Sequence, residues 1–275
     1  MKKIKLMLFC LFLAGRIGLG HDDLTRQIYT LSSLIKQYPD STELYMQRAE
    51  LFRLCRNFGQ AFDDLAVARD LNPGMAEIDL ARGRVLLDLD SLWEARYFFN
   101  TFLEKKQGQA AAALALKALV EGKLGLYVAA EADYGRAVAL QPTGFPEYYL
   151  ERARMLIALG SPYFAEAIAV LEEGLKQMGP VITLQIQLID YELDQRNFEG
   201  ALRRLQVILE SATRKEKWLK KRGDILMQAG RLREAEKSYQ DALTALQKLP
   251  PYRRTSQSVR DLEFQIKILL AQIRD

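Results

Sequence analysis

Apolar and polar positions follow the 3.6-residue period of amphipathic helices along this chain, and the pattern restarts about every 34 residues. Six alanines mark the restart: Ala61, Ala95, Ala130, Ala167, Ala201 and Ala235, at intervals of 34, 35, 37, 34 and 34 residues. The same residue types return at fixed offsets around each. The first unit reads Tyr45, Ala49, Phe52, Ala61, Leu65, Ala68 and Pro73; the third reads Leu114, Ala118, Ala130, Tyr134, Ala137 and Pro142. The second gives Gly83, Leu86, Ala95, Phe99 and Phe102, and the sixth gives Leu219, Gly223, Leu226, Ala235, Tyr239 and Ala242. Close packing demands such a code, with small residues where two helices cross and large ones filling the gap to the next pair.

This pattern resembles the tetratricopeptide repeat family, whose unit is 34 residues of helix, turn and helix. The resemblance implies an all-α, right-handed superhelical solenoid of antiparallel helix pairs, with about six repeats and terminal capping helices. We place the units at about 42–75, 76–110, 111–145, 146–181, 182–215 and 216–249. Two depart from the pattern. In the fourth, Ala153 to Ala167 runs two residues longer than Ala49 to Ala61, and Gly160-Ser161-Pro162 places the extra length in the turn between the helices. The fifth has Ile189 and Ile208 where the family prefers small residues, which predicts a locally wider helix crossing.

Caps close both ends. Within residues 21–40, Leu24, Ile28, Leu31, Leu34 and Ile35 share one helical face, and Pro39 ends the helix. Within residues 250–275, after Pro250-Pro251, a helix over 256–274 carries Val259, Leu262, Ile266, Leu269 and Ile273. Terminal helices of this kind cover the last apolar face of an array.

Residues 1–20 stand apart. Lys2, Lys3 and Lys5 precede an apolar stretch over 6–14, and Gly18-Leu19-Gly20 offers small residues to a signal peptidase, the pattern of a secretory signal cleaved after about Gly20. The stretch is short of the roughly 20 residues that span a bilayer. Lipidation at Cys10 would need a small residue before it, and Phe9 stands there. The expected location is periplasmic or secreted.

Without Lys2, Lys3, Lys5 and Arg16 the chain holds 35 basic and 35 acidic residues, so its basic isoelectric point says nothing about nucleic acid. Charge is instead split along the chain. Residues 21–200 hold 18 Lys/Arg and 26 Asp/Glu, and residues 201–275 hold 17 and 9. Three readings stand: drift of solvated faces, a basic end that meets an acidic protein or anionic headgroups, and head-to-tail self-association. The basic run over 214–222 reads as a solvated helix face, because Leu219, Gly223 and Leu226 mark the packing side.

Catalytic chemistry finds little support. His21 is the sole histidine, which excludes a serine or cysteine triad inside the fold, and Cys55 is the sole cysteine after residue 20 and reads as a half-buried apolar residue. No zinc ligand cluster, cofactor site or Gly-rich phosphate loop is expected, nor is enzyme activity. The pairs Asp63-Asp64 and Glu172-Glu173 read as solvated, since neighbours on a helix point in different directions.

The resemblance implies a concave groove lined by the second, fifth, ninth and twelfth positions of each first helix. Carried onto this chain, the groove comprises Met46, Glu50 and Arg53; Leu80, Arg84 and Leu87; Leu119; Leu150, Arg154 and Ile157; Ile186, Asp190 and Leu193; and Lys220, Asp224 and Met227. This apolar strip with single charges suits an extended or helical segment of a protein partner, with Arg84 and Arg154 placed to grip carboxylates. Leu87, Ile157 and Leu193 fit packing between helices equally well. Family members that bind chaperone carboxyl termini use lysine and asparagine at set groove positions. Here the ninth positions are Glu50, Arg84, Leu119, Arg154, Asp190 and Asp224, so that activity does not carry over. The expectation is an exported, non-enzymatic protein-binding scaffold; the alternative is an assembly factor at a membrane surface or polymer, using the basic carboxyl-terminal end.

Overall fold

The structure is a computed structural model that describes residues 21–106 and 110–274, and every regular element among them is helical. The segment read as a signal, residues 1–20, lies outside the described residues. The chain divides into two compact units between Leu140 and Gln141.

The first unit contains α1 (His21–Gln37), α2 (Thr42–Leu54), α3 (Phe58–Leu71), α4 (Glu77–Asp88), α5 (Leu92–Lys105), α6 (Ala111–Lys123) and α7 (Tyr127–Leu140). Helices α2/α3, α4/α5 and α6/α7 form the pairs, each packed on the next, and α1 covers α2 through Leu31, Ile35 and Leu44. The second unit contains α8 (Pro146–Ala158), α9 (Phe164–Met178), α10 (Ile182–Asp194), α11 (Phe198–Ser211), α12 (Glu216–Gln228) and α13 (Leu232–Gln247), then a four-residue α14 (Pro251–Arg254) and α15 (Gln257–Arg274). Its pairs are α8/α9, α10/α11 and α12/α13, with α15 sealing α13 through Val259, Leu262, Ile266 and Leu270. Both caps thus take the faces their periodicity predicts, with Leu270 replacing Leu269 at the buried centre.

Every pair but α8/α9 closes in the same way. Between its helices lie three residues, the middle one left-handed: Arg56, Asp90, Gly125, Arg196 and Gly230 have φ of 61°, 58°, 75°, 54° and 74°. The residue after it donates its N–H five residues back, as Asn57 to Phe52, Ser91 to Leu86, Leu126 to Glu121, Asn197 to Glu192 and Arg231 to Leu226, at 2.7–2.9 Å. These bonds satisfy carbonyls that the helix end would otherwise orphan. In the α8/α9 pair the turn is replaced by Gly160 and a 3-10 turn over Ser161–Tyr163, which is where the longer fourth repeat places its extra residues.

The crossings explain the small residues. A Cβ on Gly83 would lie 2.6 Å from the Phe99 ring, and one on Gly223 would lie 2.4 Å from the Tyr239 ring. In both cases glycine and ring are sixteen residues apart, so the ring fills the space the missing side chain leaves. In the fifth repeat Ile189 and Ile208 are both fully buried, sharing a cluster with Ala201, Leu205 and Ile225.

Candidate partner-binding surfaces

Burial of acidic residues is the main feature that the sequence reading misplaced. Asp64, read as solvated, is buried beside exposed Asp63 and forms a forked ion pair with Arg48, whose Nε and Nη2 donate to its two carboxylate oxygens at 2.8 and 2.7 Å. That pairing, chiefly through its hydrogen bonds, raises the Arg48 pKa further above its ordinary value. Glu172 and Glu173 are exposed as expected, though Glu172 also accepts from Arg204. The spacing held the clue: Asp64 falls three residues after Ala61, on the packing stripe, and Asp133 does the same after Ala130.

A cation precedes the small crossing residue in five repeats, as Arg48, Arg82, Lys117, Arg152 and Arg222. Lys117 pairs with Asp133 and with the fully buried Glu121, which also accepts from Arg96. Arg222 donates to Ser238 and Asp241. Arg82 instead lies over the Phe98 ring, 5.6 Å from its centroid, and its Nε is buried without a hydrogen-bond partner among the described residues.

The basic run at 214–222 is less solvated than its composition predicts. Arg214 pairs with buried Glu216, Lys220 with Asp224 at 2.9 Å, and Lys221 with Asp190 at 2.9 Å, while Trp218 packs half-buried on the α10/α11 core. Amphipathy marked the buried side, but opposite charges on neighbouring helices take up much of the rest.

Groove positions of the first unit are half-buried apart from exposed Leu119. Met46 packs on the α2/α3 core, and Leu80 and Leu87 pack on the Ala95–Phe99 cluster, so these apolar side chains serve helix packing with only an edge outward. Arg53 is held by Glu50 at 2.8 Å and also by Asp88 of the next pair. These contacts, led by the Glu50 hydrogen bond, raise the Arg53 pKa well above its ordinary value. Arg84 differs: it is half-buried and makes no ion pair or hydrogen bond among the described residues.

In the second unit Leu150 and Ile157 are half-buried, Ile186 and Leu193 pack on the α10/α11 core, and Met227 packs on the cluster under α15. Arg154 is exposed and pairs with Glu151 at 2.6 Å. Asp190 and Asp224 are engaged by Lys221 and by Lys220, and Asp224 also accepts from the Tyr239 hydroxyl at 2.9 Å. Burial, then this bond, raises the Tyr239 pKa far above its ordinary value. An open cleft of about 340 Å³ lies between α9, α10 and α11, lined in part by Glu192, Gln185 and Arg203. The Gln185 side-chain amide oxygen, Oε1, is buried without a partner among the described residues.

A second surface went unread in the sequence. Trp93 and Tyr97 of α5 are 61% and 64% exposed, and Val128 of α7 is 69% exposed. Each aromatic stands two residues from Ala95, which turns it directly away from the crossing. No group of three or more His, Cys, Asp or Glu that could hold a metal occurs among the described residues. No described helix is long and apolar enough to cross a membrane.

Residues 164–261 match the family described as Tetratricopeptide repeat-like domain. No curated protein matches the chain in sequence. Among solved structures it resembles PilW, described as a widely conserved type IV pilus biogenesis factor, with TM-score 0.60 and 20% identity over 76% of this chain and 92% of that one. A tetratricopeptide repeat protein from Parabacteroides merdae gives TM-score 0.55 and 15% identity over 92% and 93%. YrrB, described as having an unusual peptide-binding site, gives 0.50 and 15% over 74% and 97%. Residues 164–261 thus match the tetratricopeptide repeat-like family in sequence, and the helix pairs of the described residues share the fold of tetratricopeptide repeat structures.

Proposed function

We propose that this protein is an exported, non-enzymatic scaffold that holds a peptide or helix of a cell-envelope partner on the first helices of its repeats. The observation that carries this reading is Arg84, a guanidinium at a groove position, half-buried and without an acidic partner, whereas Arg53 is already held by carboxylates. A desolvated guanidinium in that state favours an incoming carboxylate, which it grips through two parallel bonds. Around it Met46, Leu80 and Leu119 offer apolar edges for the side chains of an extended segment. Arg154 is the weaker anchor, because Glu151 already occupies it. Likeness to PilW and YrrB supports the reading at the level of fold, and the basic leader-like residues 1–20 support export.

The test is capture from an envelope extract on the parent, on Arg84→Ala and on a Trp93→Ala/Tyr97→Ala double variant, each washed at low and high salt. The expected result is a protein held by the parent and by the double variant at both salts, and weakened about tenfold or more by Arg84→Ala with the melting temperature unchanged. Loss on the double variant alone would move the site to the outer face of α5 and sink the groove reading.

A further inference from the structure

A helix that packs by one stripe on a repeat array ordinarily turns a polar face to solvent. Here α15 does otherwise. Its inner stripe, Val259, Leu262, Ile266 and Leu270, is buried against α13. Directly opposite, one turn apart, Phe264 is 67% exposed and Ile268 is 43% exposed. A helix with two apolar stripes has one more than its fold needs.

Charge indicates what the second stripe meets. From Lys248 to Arg260 the chain holds four cations and no acid. Arg253 and Arg254 are exposed and form no ion pair among the described residues, and Arg260 contacts only the Gln257 amide oxygen, at 3.0 Å. Beside them Tyr252 is 70% exposed, with the Arg253 guanidinium 5.5 Å from its ring centroid. The nearby acids of α15 are engaged: Asp261 accepts from Gln257 at 2.7 Å, and Glu263 is paired with Lys267 at 2.6 Å. An exposed apolar stripe on a helix that carries and follows guanidinium groups without acidic partners, with an exposed tyrosine among them, is the composition by which a helix lies in an anionic membrane interface. A docking protein would want buried, shaped pockets around its anchors, and these side chains stand proud of the surface.

We propose that α15 docks on an anionic lipid surface, with Phe264 and Ile268 entering the interface and Arg253, Arg254 and Arg260 meeting headgroups. This surface is separate from the groove, so either reading stands without the other.

The experiment is co-sedimentation of the full chain with vesicles of phosphatidylcholine alone, or with phosphatidylglycerol at about 30%. It compares the parent with Arg253→Glu/Arg254→Glu and with Phe264→Ser/Ile268→Ser. All three share residues 1–20, so differences between them report on the carboxyl-terminal end. Circular dichroism melts check folding and light scattering checks association. The expected result is parent binding that depends on phosphatidylglycerol and falls about tenfold or more in each variant, with melts unchanged. Equal binding to both vesicle types, or variants that bind like the parent, would overturn the proposal. So would a concentration-dependent dimer that Phe264→Ser/Ile268→Ser abolishes while vesicle binding is untouched, because a second copy would then be the cover. Should the serine variant melt early, the arginine variant decides alone, since its side chains are fully outside the core.

Discussion

The two units solve one packing problem with different chemistry. In the first, the helix crossings enclose four carboxylates, Asp64, Asp79, Glu121 and Asp133, each held by lysine or arginine from neighbouring helices. In the second, three phenols are buried, Tyr149, Tyr191 and Tyr239, against Tyr134 alone among the described tyrosines of the first, and Glu216 is the one buried acid among the described residues of that second unit. The slot four residues ahead of the small crossing residue shows that ring, acid, amide and aliphatic chain can take one place. It holds Tyr45, Asp79 and Leu114 in the first unit and Tyr149, Gln185 and Leu219 in the second. Asp79 answers to Arg69 and Lys105, whereas the Tyr149 hydroxyl donates to the Pro142 carbonyl at 2.9 Å. A repeat therefore fixes volume at this slot more firmly than polarity: ring, charge and aliphatic chain all fit, and Gln185 keeps a buried side-chain oxygen without a partner among the described residues.

That contrast is open to direct attack. The largest effect is expected from Asp79→Ala, which leaves two cations facing a buried gap; the cost is about 3 kcal/mol, at the low end for a broken buried pair because both cations are partly exposed. Hydrogen exchange should place the loss in residues 42–140, and a loss spread equally over both units would break the comparison. Next, Gly83→Ala and Gly223→Ala push a methyl into Phe99 and into Tyr239, and each should cost about 2 kcal/mol by chemical denaturation. This is where the units are built alike, so a large asymmetry would show that the crossings differ in more than their polar filling.

The smallest effect is expected from Tyr239→Phe, which removes the bond to half-exposed Asp224 at a cost of about 1 kcal/mol. Its pH dependence is more telling. Burial raises the pKa of Tyr149 and Tyr191, and burial with Asp224 raises that of Tyr239. Above about pH 10 the unfolded chain gives up these phenol protons while the folded chain keeps them, so stability is intact below that pH and falls as pH rises. Tyr239→Phe should flatten the alkaline loss in the second unit without removing it, as followed by circular dichroism melts from neutral to alkaline pH. An unchanged slope would show that Tyr239 ionises as freely folded as unfolded.

Much of the architecture was legible because repetition amplifies weak signals. One alanine means little, whereas six at near-equal spacing fix helix pairs, crossing points and the longer fourth turn at Gly160. Caps were legible from periodicity alone. What periodicity could not report was which charged residue a neighbouring helix answers. Asp63 and Asp64 are the same residue in composition; helix phase puts the second on the packing stripe, and Arg48 sixteen residues earlier supplies its counter-charge. Groove positions suffered a related ambiguity: register with the repeat family assigns Met46, Leu80 and Ile186 to a groove, yet a half-buried side chain can pack on its neighbour and still show an edge. Trp93 and Tyr97 stand outside the stripe that packs, which is the signal that repetition amplifies.

The sixteen-residue spacing between a small crossing residue and the ring that fills it has a temporal side. Every such partner lies within one hairpin of helices, reached by closing a short loop whose turn already carries its own hydrogen bond. Loop closure over so few residues takes well under a microsecond, so no segment waits for a distant one to arrive. A chain with contacts this local needs no single nucleus: whichever hairpin forms first offers its flank to the next, and stability accrues as neighbouring repeats stack.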